Sequence, residues 1–357
     1  MELQQISPAS GSIISAFAES RIGGRPENQD SYKWKQTELG YLVTVCDGMG
    51  GGPGGKTAST IATEEIVAAI SEAKPEEEEI TNVIIKAIRR ANMAIIEAGS
   101  QNPALQGMGS TATLLLLSEK SAFVAHVGDS RVYQIRGRKK IFRTFDHSMV
   151  FEMVKQGVIS EEQARLSSQS NIITKALGIK PDVEVDVTEL SYEKGDRFIL
   201  CSDGIHGAMP EIQLIKLASR HKMSLGALTD DIATYVDNIG HNSGGGHDNL
   251  TLAIVETKIK SKLKSPMTKL AKFILLTLAS MLLVSLFFNI KQCYSNSETT
   301  TSEKDTLVSK DTLAKYQRYK ETINSISGIT QQVESDDSKK LVEIREEISK
   351  LNKPEQK

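Results

Sequence analysis

Four aspartates in this chain, Asp47, Asp129, Asp203 and Asp248, each close a strand-like run or a tight turn. Their settings are Cys46-Asp-Gly48, Gly128-Asp-Ser130, Ser202-Asp-Gly204 and His247-Asp-Asn249. Strands of one sheet end on common rims, so their terminal carboxylates can converge on one site. Several oxygen donors without clustered Cys or His describe a hard-cation centre, for Mg2+ or Mn2+. Aspartate also caps turns often, and at any one of these positions a cap is the simpler account. Four such turns in a single domain weaken that account.

A second chemistry competes for the first of these aspartates. Asp47 opens onto six glycines between Gly48 and Gly55, interrupted only by Met49 and Pro53. Within that tract Gly50-x4-Gly55-Lys56-Thr57 satisfies a phosphate-cradling P-loop pattern, after a predicted strand and before a predicted helix. A glycine-rich tract produces that pattern cheaply. A P-loop fold also needs repeated strand-helix-strand units around a parallel sheet.

The elements around these residues do not follow that plan. Helical spacing over 57–70 is followed by a second helix through Val83, Ile84, Ala87, Ile88, Ala91 and Ile95, headed by Pro75 and the acidic turn 76–79. Two helices thus run consecutively with no strand between them. Short extended runs at 113–117, 122–127 and 131–135, with tight breaks, read as an antiparallel meander. Short helical pieces at 149–157 and 160–166 come next, then strands at 183–190 and 197–201. Helices at 210–219 and 225–238 and a closing strand at 250–255 complete the globular part.

Composition bounds the setting. The net charge of −2 is well mixed, which gives no ground for nucleic-acid binding through bulk charge. Cys46 and Cys201 lie in apolar runs and Cys293 is the third cysteine, a usage that fits buried thiols in a reducing compartment. The N-terminal stretch lacks the basic start and apolar run of a signal peptide, so the catalytic part is expected in the cytoplasm. Residues 273–290 carry no charge and would span roughly 27 Å as a helix. Six lysines between Lys258 and Lys272 precede this stretch, which orients it as a single-pass span of the inner or plasma membrane with the N-terminal part inside. The expected divisions are an extension at 1–12, a catalytic domain at 13–257, a basic juxtamembrane linker at 258–272, a transmembrane helix at 273–290 and a partly helical extracytoplasmic tail at 291–357.

Seven segments in order carry a family resemblance: Arg25-x3-Gln29-Asp30, Asp47-Gly-Met-Gly-Gly51, Gly109-Ser-Thr-Ala112, Val127-Gly-Asp-Ser-Arg131, Asp146-His-Ser148, Leu200-Cys-Ser-Asp-Gly204 and His247-Asp-Asn-Leu-Thr251. The chain resembles the metal-dependent serine/threonine protein phosphatases (PPM, type 2C) in their bacterial form. The resemblance implies an α+β fold of two stacked antiparallel sheets flanked by pairs of helices. It implies two Mn2+ or Mg2+ ions bridged by Asp47, with the Gly48 carbonyl on one and Asp203 and Asp248 on the other. Asp129 would hold a third, weaker ion, Arg25 the substrate phosphate, and Asp30 the metal-bound waters. Residues 149–170 would be the mobile segment beside the site.

The chain departs from the family pattern at several positions. Gln29 stands where many relatives have Glu, and Met49 replaces the histidine that some eukaryotic members use as a general acid. Gly52 and Lys56 replace the His and Glu common in bacterial loops. His206 is also unusual, and a lone His there reads first as a surface or packing residue. The expected reaction is hydrolysis of phosphoserine and phosphothreonine by a water that the two cations activate. The expected partners are phosphorylated proteins, a serine/threonine kinase with its targets, and the membrane. The alternatives are a P-loop nucleotide hydrolase and a catalytically silent, membrane-tethered phosphoprotein-binding module.

Overall fold

Ala112–Leu117, ATLLLL, is buried at every position. A strand with no polar alternation needs a covering layer on each face, and the architecture supplies two. The computed structural model describes residues 3–8, 12–50 and 53–263, with Met281, Ser285 and Gln317 as single positions. Two units divide the chain, Met1–Pro266 and Met267–Lys357, and the first holds every element below.

In chain order these are β1 (Gln4–Gln5), β2 (Ile14–Arg21), β3 (Asp30–Thr37), β4 (Gly40–Met49), α1 (Gly54–Glu72) and α2 (Ile80–Gln101). Strands β5 (Gly109–Ser110), β6 (Ala112–Leu117), β7 (Ala122–Val127), β8 (Arg131–Arg136) and β9 (Lys139–Arg143) follow. Helices α3 (Met149–Lys155) and α4 (Glu161–Arg165) lead to β10 (Asp186–Leu190) and β11 (Arg197–Cys201). The unit closes with α5 (Asp203–His206), α6 (Glu211–Ala218), α7 (Leu225–Asn242) and β12 (Leu250–Thr257).

One sheet runs β1-β2-β12-β11-β8-β9 and the other β10-β7-β6-β4-β3, with β5 paired to β4. Every pairing is antiparallel. Val43, Val45, Leu115 and Val124 from one sheet meet Ala16, Phe198, Leu200 and Ala253 from the other in a central core. Leu42, Leu114 and Leu116 turn the opposite way, onto Ala58, Ile66, Ile84 and Ile88 of the α1–α2 pair. Ile199, Leu252 and Ile254 likewise pack on Leu228, Ile232 and Val236 of α7. The expected pair of stacked antiparallel sheets between helix pairs is therefore present.

Several expectations change. The runs at 113–117, 122–127 and 131–135 do not form one meander, because β7 pairs with β6 and β10 whereas β8 pairs with β11 and β9. The turn at Gly128, with φ of 100°, carries the chain from one sheet to the other. A side chain there would lie 2.7 Å from Thr111 Cγ2, so the crossing needs glycine. Residues 76–79 precede the second helix rather than forming its first turn, with Glu79 at the N-cap. The expected extension at 1–12 supplies β1, and Ile6 is fully buried. The first residues of the expected basic linker are hydrogen-bonded to the same unit, with Lys258 N on Ile13 O and Ser261 N on Tyr192 O.

The expected membrane span at 273–290 lies outside the described residues, apart from Met281 and Ser285. Among the described residues no helix is long and apolar enough to cross a membrane.

Candidate metal centre

The site forms at the seam between the two sheets. From one sheet, Asp30 at the start of β3 and Asp47 near the end of β4 are register partners. From the other, Asp203 follows β11 and Asp248 lies two residues before β12, while Asp129 occupies the turn that crosses between sheets. Asp47, Gly48, Asp129, Asp203, Asp248 and Arg25 all line one cavity of about 610 Å³. Asp30 lies beneath it, 1% exposed, and accepts a hydrogen bond of 2.8 Å from Ser202 Oγ. All seven residues expected at the site are thus brought together.

Their electrostatics call for cations. Burial pushes the Asp30 carboxyl up to about 7, helped by Asp203 and Asp248. Burial, with Asp248 beside it, raises Asp203 to about 6. Asp47 and Asp129 are raised well above the ordinary carboxylate range, again by burial first and by their acidic neighbours second. Asp30 Oδ1 and Asp203 Oδ1 are buried without a hydrogen-bond partner. Uncompensated buried carboxylates of this kind are destabilising unless a cation or protons neutralise them. The donors at this centre are oxygens, which suits Mg2+ or Mn2+.

Backbone ties hold these groups in place. Thr111 Oγ1 accepts from Asp47 N at 2.9 Å and lies 2.8 Å from Ser130 Oγ, joining the Asp47 strand to the Asp129 turn. Gly48 has no room for a side chain, since a Cβ would come 1.9 Å from Gly55 O. Gly55 is equally confined, 2.6 Å from Gln29 Oε1 by the same construction. The glycines therefore let the first turn of α1 approach Gly48 and Gln29 closely.

The P-loop reading fails on the same residues. Strand β4 lies between antiparallel β3 and β6, so the sheet has no parallel strand-helix-strand unit. Lys56 Nζ donates to Asp30 O at 2.7 Å and to Ser31 Oγ at 3.2 Å, which anchors α1 to the head of β3. Cys46 and Cys201 are buried thiols pushed up to about 12, which unsuits both as nucleophiles.

Two residues matter more than sequence reasoning allowed. Asn249 Nδ2 donates to Ile22 O at 2.7 Å and Glu27 O at 2.9 Å, while its Oδ1 accepts from Gln29 N at 2.8 Å. It clamps the loop that carries Arg25. The Asp-Asn dipeptide at 248–249 was the available signal. His206 is not a surface residue: it is 7% exposed and its Nε2 donates to Asp129 O at 3.0 Å. Burial and the nearby Arg131 lower its pKa well below the usual imidazole value, so it is a neutral positioning group. Arg131 itself is bidentate to Asp146, at 2.7 and 2.6 Å, which commits that carboxylate to an ion pair. The segment at 149–170 contains α3 and α4, and Asn171 just beyond it reaches the cavity.

The family model described as "Protein phosphatase 2C" matches residues 19–244. Serine/threonine phosphatase stp of Listeria monocytogenes is 33% identical over 242 residues, covering 67% of this chain and 90% of that protein. The crystal structure of serine/threonine phosphatase Stp1 from Staphylococcus aureus superposes with a TM-score of 0.63 at 28% identity, over 69% of this chain and 96% of that one. The catalytic domain of serine threonine protein phosphatase PstP, solved in complex with 2 manganese ions, gives 0.58 at 27% identity, over 68% and 97%.

Proposed function

The chain belongs to the protein phosphatase 2C family of serine/threonine phosphatases, and we propose that it removes phosphate from phosphoserine and phosphothreonine at the Asp47–Asp203–Asp248 centre. The observation that carries this reading is the meeting of carboxylates from both sheets in one cavity, with Asp203 Oδ1 buried and unpartnered. Asp47, the Gly48 carbonyl, Asp203 and Asp248 would hold two manganese or magnesium ions, and Asp129 a third. When bound, these ions make a water nucleophilic at neutral pH and offset charge on the phosphoryl oxygens.

The protein's own groups supply the rest. Arg25 stands at the cavity, half-exposed, with Nη2 2.9 Å from Asp248 Oδ2. Its fork of N–H donors matches phosphoryl oxygens, so it binds and orients the phosphate. Asp30 sits below with one oxygen fixed by Ser202, and its other oxygen, buried without a partner, would serve as an acceptor for the metal-bound waters. No protein nucleophile is needed, in keeping with the buried thiols.

The apolar stretch at 273–290 and the lysines before it support a further reading, that the enzyme works at the cytoplasmic face of a membrane and opposes a kinase there. Fractionation of the full chain into the soluble phase would refute that placement. The reaction itself is tested by turnover of a phosphothreonine peptide and of ATP with Mn2+, without it, and with EDTA. Manganese-dependent peptide hydrolysis and no ATP hydrolysis are expected; the reverse pattern, or a silent protein under all conditions, overturns the reading.

A further inference from the structure

Behind the Asp248 loop lies a second group of donors, of a different chemical kind. Helix α7 presents Asp237 and His241 one turn apart on one face. The chain then reverses through Gly244, Gly245 and Gly246, with φ of 102°, 74° and 71°. Three successive left-handed residues lay His247 back on the helix it has just left. It seats where Gly240 leaves space, since a Cβ there would come 2.1 Å from the His247 Cγ.

His247 Nε2 lies 2.8 Å from Asp237 Oδ1, and His241 Nε2 lies 3.6 Å from the same oxygen. The two rings meet edge to face with centroids 4.9 Å apart. One ligand atom from each of the three residues falls within 4.8 Å of the others. His247 Nδ1 is buried with no hydrogen-bond partner, so the ring's polar contact runs through Nε2 alone.

We infer that Asp237, His241 and His247 form a site for a zinc-like divalent cation, separate from the oxygen-donor centre and open to solvent on the His241 side. Two imidazoles and one carboxylate are a donor set for zinc with one position left to water. His241 is 61% exposed, which gives an ion a way in. Arg21 Nη1 lies 3.5 Å from Asp237 Oδ2, but the same guanidinium is paired with Glu19 and Asp230, which offsets its charge. Without an ion His247 Nε2 donates to Asp237, but no group fixes Nδ1, so the tautomer can switch and free the Nε2 lone pair for a cation. The contrast is His126, His147 and Asp186, which also lie close together. There Gly128 N donates to His147 Nδ1, so the neutral ring carries its proton on Nε2, the atom facing Asp186. With Gly128 N holding that tautomer, His147 has no lone pair to offer a cation shared with Asp186. Because Asp248 directly follows His247, an ion on this site pins the loop that carries Asp248 to α7.

The test uses Co2+ as probe on the full chain after chelator treatment. Four-coordinate Co2+ with nitrogen donors absorbs strongly in the visible, whereas six-coordinate Co2+ in an all-oxygen centre absorbs weakly. One equivalent should give the strong bands, Zn2+ should abolish them and Mn2+ should not. His241→Ala and Asp237→Asn should each weaken that binding by at least about tenfold, the loss seen on removing even an outer partner of a metal ligand. His241 is exposed, so its replacement leaves the core intact. Absence of strong bands in the wild-type protein, or unchanged affinity in both variants, overturns the site. Neither result bears on the phosphatase reaction, which turnover reports independently.

Discussion

Asp30 and Asp47 face each other as antiparallel register partners at adjoining ends of β3 and β4. The main chain alone fixes this juxtaposition, and the buried Asp30 raises the need of Asp47 for a proton or a cation.

A first prediction concerns pH. Asp30 is held near 7 and Asp203 near 6, against an ordinary aspartate value of 3.8. The folded protein therefore binds protons more readily than the unfolded chain between those limits. The stability these carboxyls contribute is complete below 3.8 and is lost as pH rises through 6 to 7. Histidines 126, 147 and 206, lowered by burial, impose the opposite slope, but they do so with or without metal. The gain in thermal midpoint from adding excess Mn2+ to chelated protein should thus widen between about pH 5 and pH 8. A gain independent of pH would contradict this account.

Replacing a charged ligand separates stability from activity. Asp47→Asn and Asp203→Asn should each cut Mn2+-dependent peptide dephosphorylation at least about a thousandfold, roughly 4 kcal/mol in the barrier. Both variants should unfold at higher temperature than the wild type in EDTA at neutral pH, since each removes one buried like charge. Steady-state turnover and thermal denaturation of the same preparations check both halves.

Arg25 reaches the cavity from a half-exposed position, and its solvent-open ion pair with Asp248 adds little to stability. Arg25→Ala should lower kcat/KM for a phosphopeptide by about 10- to 100-fold, the range of a lost charge-assisted hydrogen bond of about 1.5–3 kcal/mol, with the melting temperature unchanged. Arg25→Lys should recover only part of the loss, because a single ammonium cannot reproduce the fork. Full activity in the Lys variant would show that charge alone suffices.

Asn249 acts through the loop it clamps. Asn249→Ala strands the carbonyls of Ile22 and Glu27 and the Gln29 amide, and should destabilise the protein by about 2–4 kcal/mol. Because that loop carries Arg25, KM should rise as well. Denaturant unfolding and saturation kinetics together distinguish this from a purely local effect at the cavity.

The interior of the fold was legible where burial is two-sided. Strands such as β6 and β11, apolar throughout, declared themselves. The edge strands β3 and β9 did not, because Lys33, Lys35 and Gln36 in one and Lys139 and Lys140 in the other turn polar residues to solvent. The metal-type aspartates were legible because each sits beside a residue small enough for a sharp turn. The crossing at Gly128 was not, since a tight turn between strands of one sheet and a tight turn between two sheets share the same residues. His206 and His247 were obscure for a related reason: a lone histidine carries no mark of what lies across from it, and both partners, Asp129 O and Asp237, are supplied by tertiary packing.

The carboxylates at the seam come from separate sheets, so no ladder register sets the gap between the Asp47 and Asp203 sides. That gap is set by the thickness of the side-chain layer between the sheets, built from Val43, Val45, Phe198, Leu200 and their neighbours. These apolar residues therefore act as shims for an ionic radius. One methylene added or removed at Val45 or Leu200, small enough for the fold to absorb, would alter which divalent ion fits, with no change to any residue that touches it.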